Sequence, residues 1–316
     1  MDLSVVVCTH NRARLLALCL DRLAAQRVEA GTAWEAIVVD NNSADGTAET
    51  VERERVRGRI PGLRLVGEAR QGVAFARRRG IAEARGRLVA FVDDDCLLEP
   101  GWIAAALDFA RAHPAAGAFG GRNQIAWEEP PSALASLYGE SLAAQDWGDE
   151  PFRLPMSGRR CPVGAGLVVD RDAARASGWS ERGRLTGRCG GALHAGEDAE
   201  LVMFVRHAGF EIWYAPALVL DHVIGRERTT LAHLRGIHRG FGRAEPYLRV
   251  LARTHAPRFA DRLATALWAL GEMMRVLARW PRGYLQFAEE RPTWLIRLSY
   301  VQGCLAGAAR FLAGRV

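Results

Sequence analysis

The sequence predicts an α/β fold built on a mostly parallel sheet with helices on both faces, followed by a helical C-terminal region. Two observations lead to this prediction. Short apolar runs alternate with helical patterns over the first 100 residues, and three helical patterns follow residue 225 without a strand between them. Strands that alternate with helices of this length form parallel sheets with helices on both faces. At 316 residues the chain is long enough to bury a large core.

The first half supplies four predicted strands. They are apolar runs at residues 3–8, 36–40, 63–66 and 87–92. A helix is expected after the first strand, because apolar residues recur there at helical spacing, at Leu15, Leu16, Cys19, Leu20 and Leu23. A second helical pattern ends near residue 85.

The second half is less regular. Prolines interrupt residues 122–160, which predicts a long loop with a helix around 132–145. Strands are expected at 161–173 and 210–224, on either side of a helix at 193–209. Three helices are then expected near residues 229–243, 257–279 and 293–314. We therefore expect one domain at 1–225, with halves at 1–121 and 122–225, and a helical region at 226–316.

The N-terminus predicts a strand and not a targeting signal. MDLSVVVCTHNR has no basic region ahead of its apolar run and no cleavage site. No apolar run approaches the ~20 residues that a membrane-spanning helix needs. We therefore expect a cytoplasmic protein, located either free in the cytoplasm or at the inner face of the cell membrane.

Composition excludes several kinds of chemistry. All 42 basic residues are Arg, so neither a P-loop Lys nor a Schiff-base Lys is present. The six cysteines form no CxxC pair, and scattered reduced thiols are the expectation.

Polar residues follow three of the predicted strands. Thr9, His10 and Asn11 come after the first strand, Asp40 ends the second, and the triplet Asp93 to Asp95 ends the fourth. Ligands of open α/β sheets bind at the carboxyl ends of the strands. Adjacent carboxylates repel and raise one another's pKa, so a cation or hydrogen-bond donors must compensate. A divalent metal would do so, although a hydrated surface turn would also explain an isolated acidic triplet.

Each further candidate has an ordinary explanation when it is taken alone. Asp40 lies in a run of turn-forming residues. Glu197 and Asp198 open a predicted helix, where the helix dipole favours carboxylates in any protein. Arg77 fits an exposed helix face, and His222 fits a core position on a strand between apolar residues. Their combination favours a site.

The order of segments resembles glycosyltransferase family 2, the inverting nucleotide-sugar enzymes of the GT-A fold. The stretches that carry the resemblance are SVVVCTHNR, IVVDNNSADGT, GVAFARRRGIAEARGRLVAFVDDDCLLEPGW, GAGLVVDRDAARASGWSE and GEDAELVMFVRHAGFEIWYAP. They cover about residues 3 to 224 and occur in the family's order. The resemblance implies a GT-A catalytic domain at 1–225, with a nucleotide-binding half at 1–121 and an acceptor-binding half at 122–225.

The resemblance also implies roles for individual residues. The positions for the nucleotide and donor sugar are Thr9, Asn11, Arg12, Asp40, Arg77, Asp93 and Asp94. Asp95, with His222, would hold Mg²⁺ or Mn²⁺, and Asp198 would be the catalytic base. Trp179 and Glu197 would lie on the acceptor side. The chain has Arg-Arg-Arg at 77–79 where many relatives have Arg-Asn, and Trp179 where the family often has Phe.

The implied reaction moves a sugar from a nucleotide-diphosphate sugar, with UDP-sugar favoured, to a hydroxyl acceptor. The acceptor would be a glycan or a lipid-linked saccharide of bacterial surface polysaccharide synthesis, and no nucleic acid partner is expected. Three alternatives stay open on the residues alone. They are a non-catalytic nucleotide-sugar-binding protein, a metal-dependent phosphohydrolase and a nucleotidyltransferase.

Positive charge is concentrated in the C-terminal region. Residues 226–316 carry a net charge of +10, and residues 1–225 carry −4. The helical pattern at 257–279 has an apolar face made of Phe259, Leu263, Leu267, Leu270, Met274 and Leu277. Arg258, Arg262, Arg275 and Arg279 lie around it. Such a basic amphipathic helix either packs on its own domain or makes a peripheral contact with an anionic membrane.

Overall fold

A mixed sheet of nine strands lies at the centre of the part of the chain that the structure describes. The structure is a computed structural model, and it describes residues 1–253, 257–280 and 288–315. The strands are β1 (Leu3–Thr9), β2 (Trp34–Asp40), β3 (Arg64–Gly67), β4 (Leu88–Asp93), β5 (Cys96–Leu98), β6 (Ala116–Trp127), β7 (Phe152–Arg153), β8 (Leu167–Asp170) and β9 (Glu211–Ile224).

Helices cover both faces of the sheet and form the C-terminal region. They are α1 (Ala13–Ala24), α2 (Thr47–Arg57), α3 (Val73–Glu83), α4 (Trp102–Ala112), α5 (Ala133–Leu137), α6 (Arg171–Ser177), α7 (Trp179–Arg182), α8 (Glu197–His207), α9 (Leu231–Leu251), α10 (Phe259–Ala278) and α11 (Arg291–Leu312). Short 3₁₀ turns lie at Gly139–Leu142, Arg226–Thr229 and Ala288–Glu290.

The strand order is β3-β2-β1-β4-β8-β6-β9-β5, and β7 also pairs with β9. The parallel arrangement expected from the sequence covers β1 to β4. Beyond β4 the sheet is mixed, because β8 runs antiparallel to both of its neighbours. In the parallel half Thr9 pairs with Asp40, and Cys8 pairs with Asp93. The polar strand ends therefore lie side by side at one edge of the sheet, as expected.

The core lies on both faces of the sheet. Along β1, Val5 and Val7 pack into one apolar cluster and Val6 into the other, because successive side chains of a strand point to opposite faces. Residues of α1 complete the first cluster with the predicted helical spacing, at Leu16, Cys19, Leu20 and Leu23. All six cysteines are free, as expected.

Several expected elements differ in the irregular half. The long loop expected from residue 122 is part of β6 as far as Trp127, and the strand expected at 161–173 is only Leu167–Asp170. β8 ends early because the Asp170 carboxylate caps α6, accepting the N–H groups of Asp172 and Ala173. The helix expected at 132–145 is α5 followed by a 3₁₀ turn. The short elements β7, α6 and α7 were not predicted, and neither were β5 and α4 in the first half.

The C-terminal helices pack on the sheet domain and on one another. Tyr247 and Leu248 of α9 share an apolar cluster with Leu201 and Phe204 of α8. α9 and α11 approach closely through glycines: a Cβ on Gly242 would meet the Tyr300 carbonyl, one on Gly303 that of Arg239, and one on Gly307 that of Arg243. Among the described residues, no helix has the length and apolar character that a membrane crossing requires.

The α9–α11 contact predicts opposite effects for two identical substitutions. Gly307→Ala places a methyl group against the Arg243 carbonyl and should destabilise the protein by about 1–3 kcal/mol. Gly271→Ala in α10 meets no atom within 4 Å and should stabilise the protein by about 0.5–1 kcal/mol through helix propensity. Urea denaturation of both variants measures the difference, and equal shifts in one direction would contradict the close contact.

Candidate active site

The middle carboxylate of the triplet is held by residues that follow β1. The Thr9 hydroxyl donates to Asp94 Oδ2 at 2.8 Å, and the Arg12 guanidinium donates to Asp94 Oδ1 at 3.2 Å. Burial, and then the negative charge of Asp95, raises the pKa of Asp94 to about 7. Thr9 is buried and its hydroxyl is engaged with Asp94, so in this structure it supports the triplet.

The last carboxylate of the triplet lies beside an imidazole. Asp95 Oδ1 is 3.1 Å from His222 Nε2, across the pairing of β5 with β9. His222 Nδ1 lies 2.8 Å from the Leu142 carbonyl oxygen, which only accepts, so the N–H belongs on Nδ1. In the neutral ring, Nε2 then presents a lone pair to Asp95 Oδ1, which accepts no hydrogen bond among the described residues. Two lone pairs at this distance repel, so a cation or a proton between the two atoms would be stabilising.

This pair of atoms fits a divalent metal. A ligating imidazole characteristically donates its other N–H to a carbonyl, as His222 does to Leu142. Cys96 lies within ligand distance, but burial raises the pKa of its thiol well above the usual value, so the sulfur stays protonated. Carboxylate oxygen and imidazole nitrogen suit Mg²⁺ or Mn²⁺ better than a neutral thiol does.

Two guanidinium groups meet the other oxygen of Asp95. Arg12 donates to Asp95 Oδ2 at 2.6 Å, and Arg228 donates to the same atom at 2.8 Å. Burial raises the pKa of Asp95, but the neighbouring His222, Arg228 and Arg12 hold it well below its usual range. Asp95 therefore stays ionised although it is fully buried.

Sequence reasoning missed Arg228. This arginine is buried in the 3₁₀ turn directly after β9, and the expected boundary at residue 225 counted it with the basic tail. Burial lowers the pKa of its guanidinium. The signal that would have found it is its place six residues after His222, just beyond the end of the same strand. One arginine of the tail thus belongs to the site.

Arg77 joins the triplet to the start of α8. Its guanidinium is buried, with Nη2 3.5 Å from Asp93 Oδ1, and Nη1 donates to Glu197 Oε1 at 3.2 Å. Arg78 stacks over an indole ring and Arg79 forms a surface ion pair. Of the three consecutive arginines, Arg77 is therefore the one that enters the site.

Two adjacent carboxylates open α8, as the sequence predicted. Glu197 is buried, and its burial, followed by the charge of Asp198, raises its pKa to about 7. Asp198 is partly exposed; its Oδ2 accepts the Gly164 N–H at 2.8 Å, and its Oδ1 accepts the Ala199 N–H at 2.7 Å. Asp198 is thus the accessible carboxylate of the pair, and Glu197 is committed to Arg77.

Trp179 was expected on the acceptor side, but the structure gives it a different role. It is fully buried, and its indole N–H donates to Glu200 Oε2 at 3.0 Å. Glu200, also fully buried, accepts the backbone N–H groups of Arg184 and Leu185 as well. Trp179 and Glu200 therefore hold the segment after α7 against α8, and Trp179 has no surface for a ligand.

Asn11 and Asp40 shape the loops at the sheet edge. Asn11 has φ +53°, its N–H donates to Ser43 Oγ at 2.9 Å, and its Oδ1 accepts the Ala44 N–H at 2.7 Å. Asp40 Oδ1 accepts the Ser43 N–H at 2.9 Å, which is the turn role that the sequence allowed. Asn11 thus ties the loop after β1 to the loop after β2.

The arrangement defines a class of protein. A βα half that ends in buried carboxylates, joined by an arginine to a second carboxylate pair at a helix start, agrees with the GT-A glycosyltransferase fold that the sequence resembles. Residues 4–176, more than half of the chain, match the family described as Glycosyl transferase family 2. The chain belongs to this family.

Named relatives match parts of the chain to different extents. The succinoglycan biosynthesis protein ExoM of Rhizobium meliloti is 27% identical over 275 residues, which are 84% of this chain and 81% of ExoM. The glycosyltransferase AglE of Haloferax volcanii is 32% identical over 100 residues, 32% of each protein. The putative teichuronic acid biosynthesis glycosyltransferase TuaG of Bacillus subtilis is 33% identical over 114 residues, 36% of this chain. The matches span only 32% of AglE and 44% of TuaG.

Solved structures share the fold over almost the whole chain. The mannosyltransferase PcManGT of Pyrobaculum calidifontis, solved with GDP-Man and Mn²⁺, superposes with a TM-score of 0.58 at 18% identity, covering 99% of this chain and 88% of that one. S. aureus TarS 1-349, solved with UDP-GlcNAc, gives a TM-score of 0.56 at 14% identity, with 99% and 92% coverage. At these identities the likeness shows the fold alone.

The raised pKa of Glu197 predicts a pH dependence of stability. Its folded-state pKa of about 7 lies above the 4.5 of a free Glu, so the folded protein binds this proton more tightly than the unfolded chain. The resulting stabilisation is full below about pH 4.5 and is lost as the pH rises through 7. The unfolding free energy of wild type minus that of Glu197→Gln should therefore fall by roughly 1–3 kcal/mol from pH 5 to pH 8.

Urea denaturation at several pH values measures this difference. Glu181→Gln, at an exposed position of α7, controls for the loss of one carboxylate. The unfolding free energy of wild type minus that of Glu197→Gln could instead rise with pH, or equal the difference measured for Glu181→Gln. Either result would show that the surroundings of Glu197 do not disfavour its charged form.

Proposed function

We propose that the protein is an inverting glycosyltransferase that moves a sugar from a nucleoside diphosphate sugar to a hydroxyl of a glycan or lipid-linked saccharide. The observation that carries the proposal is Arg77, which contacts Asp93 on one side and Glu197 on the other. It links Asp93, which would meet the donor, to the start of α8, where Asp198 would meet the acceptor. The family match favours this reaction over phosphohydrolase and nucleotidyltransferase activity.

The names of relatives support the substrate classes. ExoM acts in succinoglycan biosynthesis and TuaG is assigned to teichuronic acid biosynthesis, so a polysaccharide under assembly is the proposed acceptor. TarS was solved with UDP-GlcNAc and PcManGT with GDP-Man. We favour a UDP-sugar as donor.

Arginines would receive the donor's diphosphate. Arg12 and Arg228 already converge on Asp95, where permanent positive charge is available to a phosphate oxygen without a change of protonation. Asp93, which is partly exposed, would face the ribose. Thr9 keeps Asp94 in place behind them through its hydroxyl.

Asp95 and His222 would hold Mg²⁺ or Mn²⁺. The donor set described above fits such an ion, and the Mn²⁺ complex of PcManGT supports its use in this fold. When bound, the ion supplies Lewis-acid stabilisation of the charge that develops on the departing diphosphate. Leu142, through its carbonyl, would keep Nε2 of His222 directed at the ion.

Asp198 would act as the general base. The Gly164 N–H holds one of its oxygens, so the carboxylate has a defined orientation while it remains accessible. It would take the proton of the acceptor hydroxyl as that oxygen attacks the anomeric carbon. The bond to the diphosphate breaks on the opposite face of the sugar, so the configuration inverts.

Asp198→Asn should lower turnover by ~10²-fold or more while donor binding stays intact, because the base acts on the nucleophile and not on the diphosphate. Turnover is measured as release of nucleoside diphosphate from a panel of UDP- and GDP-sugars, and binding by calorimetry. Asp172→Asn, at an exposed position of α6, is the control. If Asp198→Asn turns over as fast as Asp172→Asn, Asp198 is not the general base and another residue must take the proton.

Mn²⁺ titration by electron paramagnetic resonance separates the ligands of the ion from those of the diphosphate. His222→Ala should weaken Mn²⁺ binding by ~10-fold or more, because one ligand is lost. Arg228→Gln should retain Mn²⁺ binding, since it removes a competing cation beside Asp95, but should weaken UDP binding by ~10–100-fold.

Arg226→Gln is the matched control for Arg228, since its side chain is 80% exposed on the same 3₁₀ turn. Failure of the wild type to bind Mn²⁺ in the presence of UDP would exclude the proposed ion site. UDP binding that is equal in the two arginine variants would exclude Arg228 from the diphosphate site.

A further inference from the structure

α10 buries one face and exposes the other. Thr265, Ala269 and Val276 are buried on the side that packs against α11, where the Trp294 indole N–H donates to the Val276 carbonyl at 3.2 Å. Six large apolar side chains are between 41% and 68% exposed. These six residues, called here the α10 stripe, are Phe259, Leu263, Leu267, Leu270, Met274 and Leu277. At 3.6 residues per turn, the stripe is centred about 140° around the helix from the buried face.

The α10 stripe is the side of the helix that the sequence pattern had marked as apolar. The helix packs on α11 with its other face, and the six side chains of the stripe stay between 41% and 68% exposed. Small residues, with Trp268, make the contact with α11 instead. The apolar pattern of the stripe therefore has no explanation in the packing of the described residues.

Exposed apolar surface is concentrated in this segment. Among the described residues, seven of the fourteen large apolar side chains that are exposed lie between residues 259 and 280. Single exposed apolar residues are ordinary, but a contiguous patch marks an interaction surface. A helix of 20 residues extends this patch over about 30 Å.

Positive charge surrounds the α10 stripe. Residues 253–279 contain five Arg and two acidic residues. Both acids are engaged: Asp261 accepts the Arg258 backbone N–H at 2.9 Å, and Glu272 forms an ion pair with Arg275. The exposed Arg258 and Arg279 flank the two ends of the stripe. Its partner should therefore carry negative charge around an apolar surface.

We propose that the α10 stripe docks the protein on the surface of an anionic lipid bilayer. The helix would lie in the interface, with the stripe among the acyl chains and the arginines among the phosphates of the headgroups. A second copy of the chain fits less well. In a two-fold pairing of antiparallel α10 helices, Arg258 of one copy would lie against Arg279 of the other, and these like charges repel.

Co-sedimentation of the full chain with lipid vesicles tests the docking. The wild type should bind vesicles that contain phosphatidylglycerol, should bind pure phosphatidylcholine weakly, and should lose most binding when salt rises from about 0.1 M to about 1 M. The double variant Leu267→Gln and Leu270→Gln should lower the partition coefficient by at least ~10-fold, because it removes buried apolar area. Its melting temperature should not change, since both side chains are more than half exposed.

Val56→Gln is the matched control, because Val56 is a 74% exposed residue on another helix, α2, and its substitution should leave vesicle binding unchanged. Arg258→Gln with Arg279→Gln should reduce binding to anionic vesicles only. The proposal is overturned if the wild type does not sediment at low salt, or if the double leucine variant sediments equally. A dimer in light scattering that the leucine variant dissociates would assign the stripe to a second copy instead. Donor turnover tests the proposed glycosyl transfer separately, since none of the residues proposed for that reaction belongs to the α10 stripe.

Discussion

The compensation of buried negative charge at the end of β4 is the constraint on which the rest of the site depends. Three consecutive carboxylates there would repel one another if they stood alone. The structure meets them with guanidinium groups from three distant parts of the chain: Arg12 after β1, Arg77 in α3 and Arg228 after β9. Since every basic residue is Arg, these charges are permanent and do not depend on pH. These ion pairs therefore connect three distant segments of the chain to the end of β4, in addition to the contacts of the apolar core.

The same constraint separates neighbouring carboxylates into different roles. Asp94 and Asp95 are adjacent and buried, yet the pKa of Asp94 is raised while that of Asp95 is held low, because His222 and Arg228 reach only Asp95. Glu197 is likewise buried against Arg77 beside the more accessible Asp198. The partner that each carboxylate meets therefore decides whether its pKa is raised or held low.

The sequence predicted what periodicity and strand ends encode. The parallel half, the triplet after β4 and the carboxylates at the start of α8 follow from such patterns. The place of Arg77 followed only from the family resemblance, since the residues alone also fitted an exposed helix face. β6 escaped prediction because it carries polar residues: Asn123 is buried, and its amide N–H donates to the Ala165 carbonyl 42 positions away. Trp179 was misplaced for the same reason, since its partner Glu200 is distant in sequence. Long-range pairing of polar groups has no local signature, and Arg228 is a third example.

The hydrogen bond between His222 and Leu142 couples two segments that are 80 residues apart in the chain. Leu142 ends the 3₁₀ turn in the segment between β6 and β8, whereas His222 lies on β9 beside Asp95. A displacement of that turn would remove the acceptor that fixes the imidazole tautomer, and Nε2 would no longer be committed to presenting a lone pair. Binding of a cation at Asp95 would therefore be thermodynamically linked to the position of the turn, each biasing the other by the same free energy. Through this single carbonyl, the position of the turn would be transmitted to the electrostatics of the carboxylate triplet.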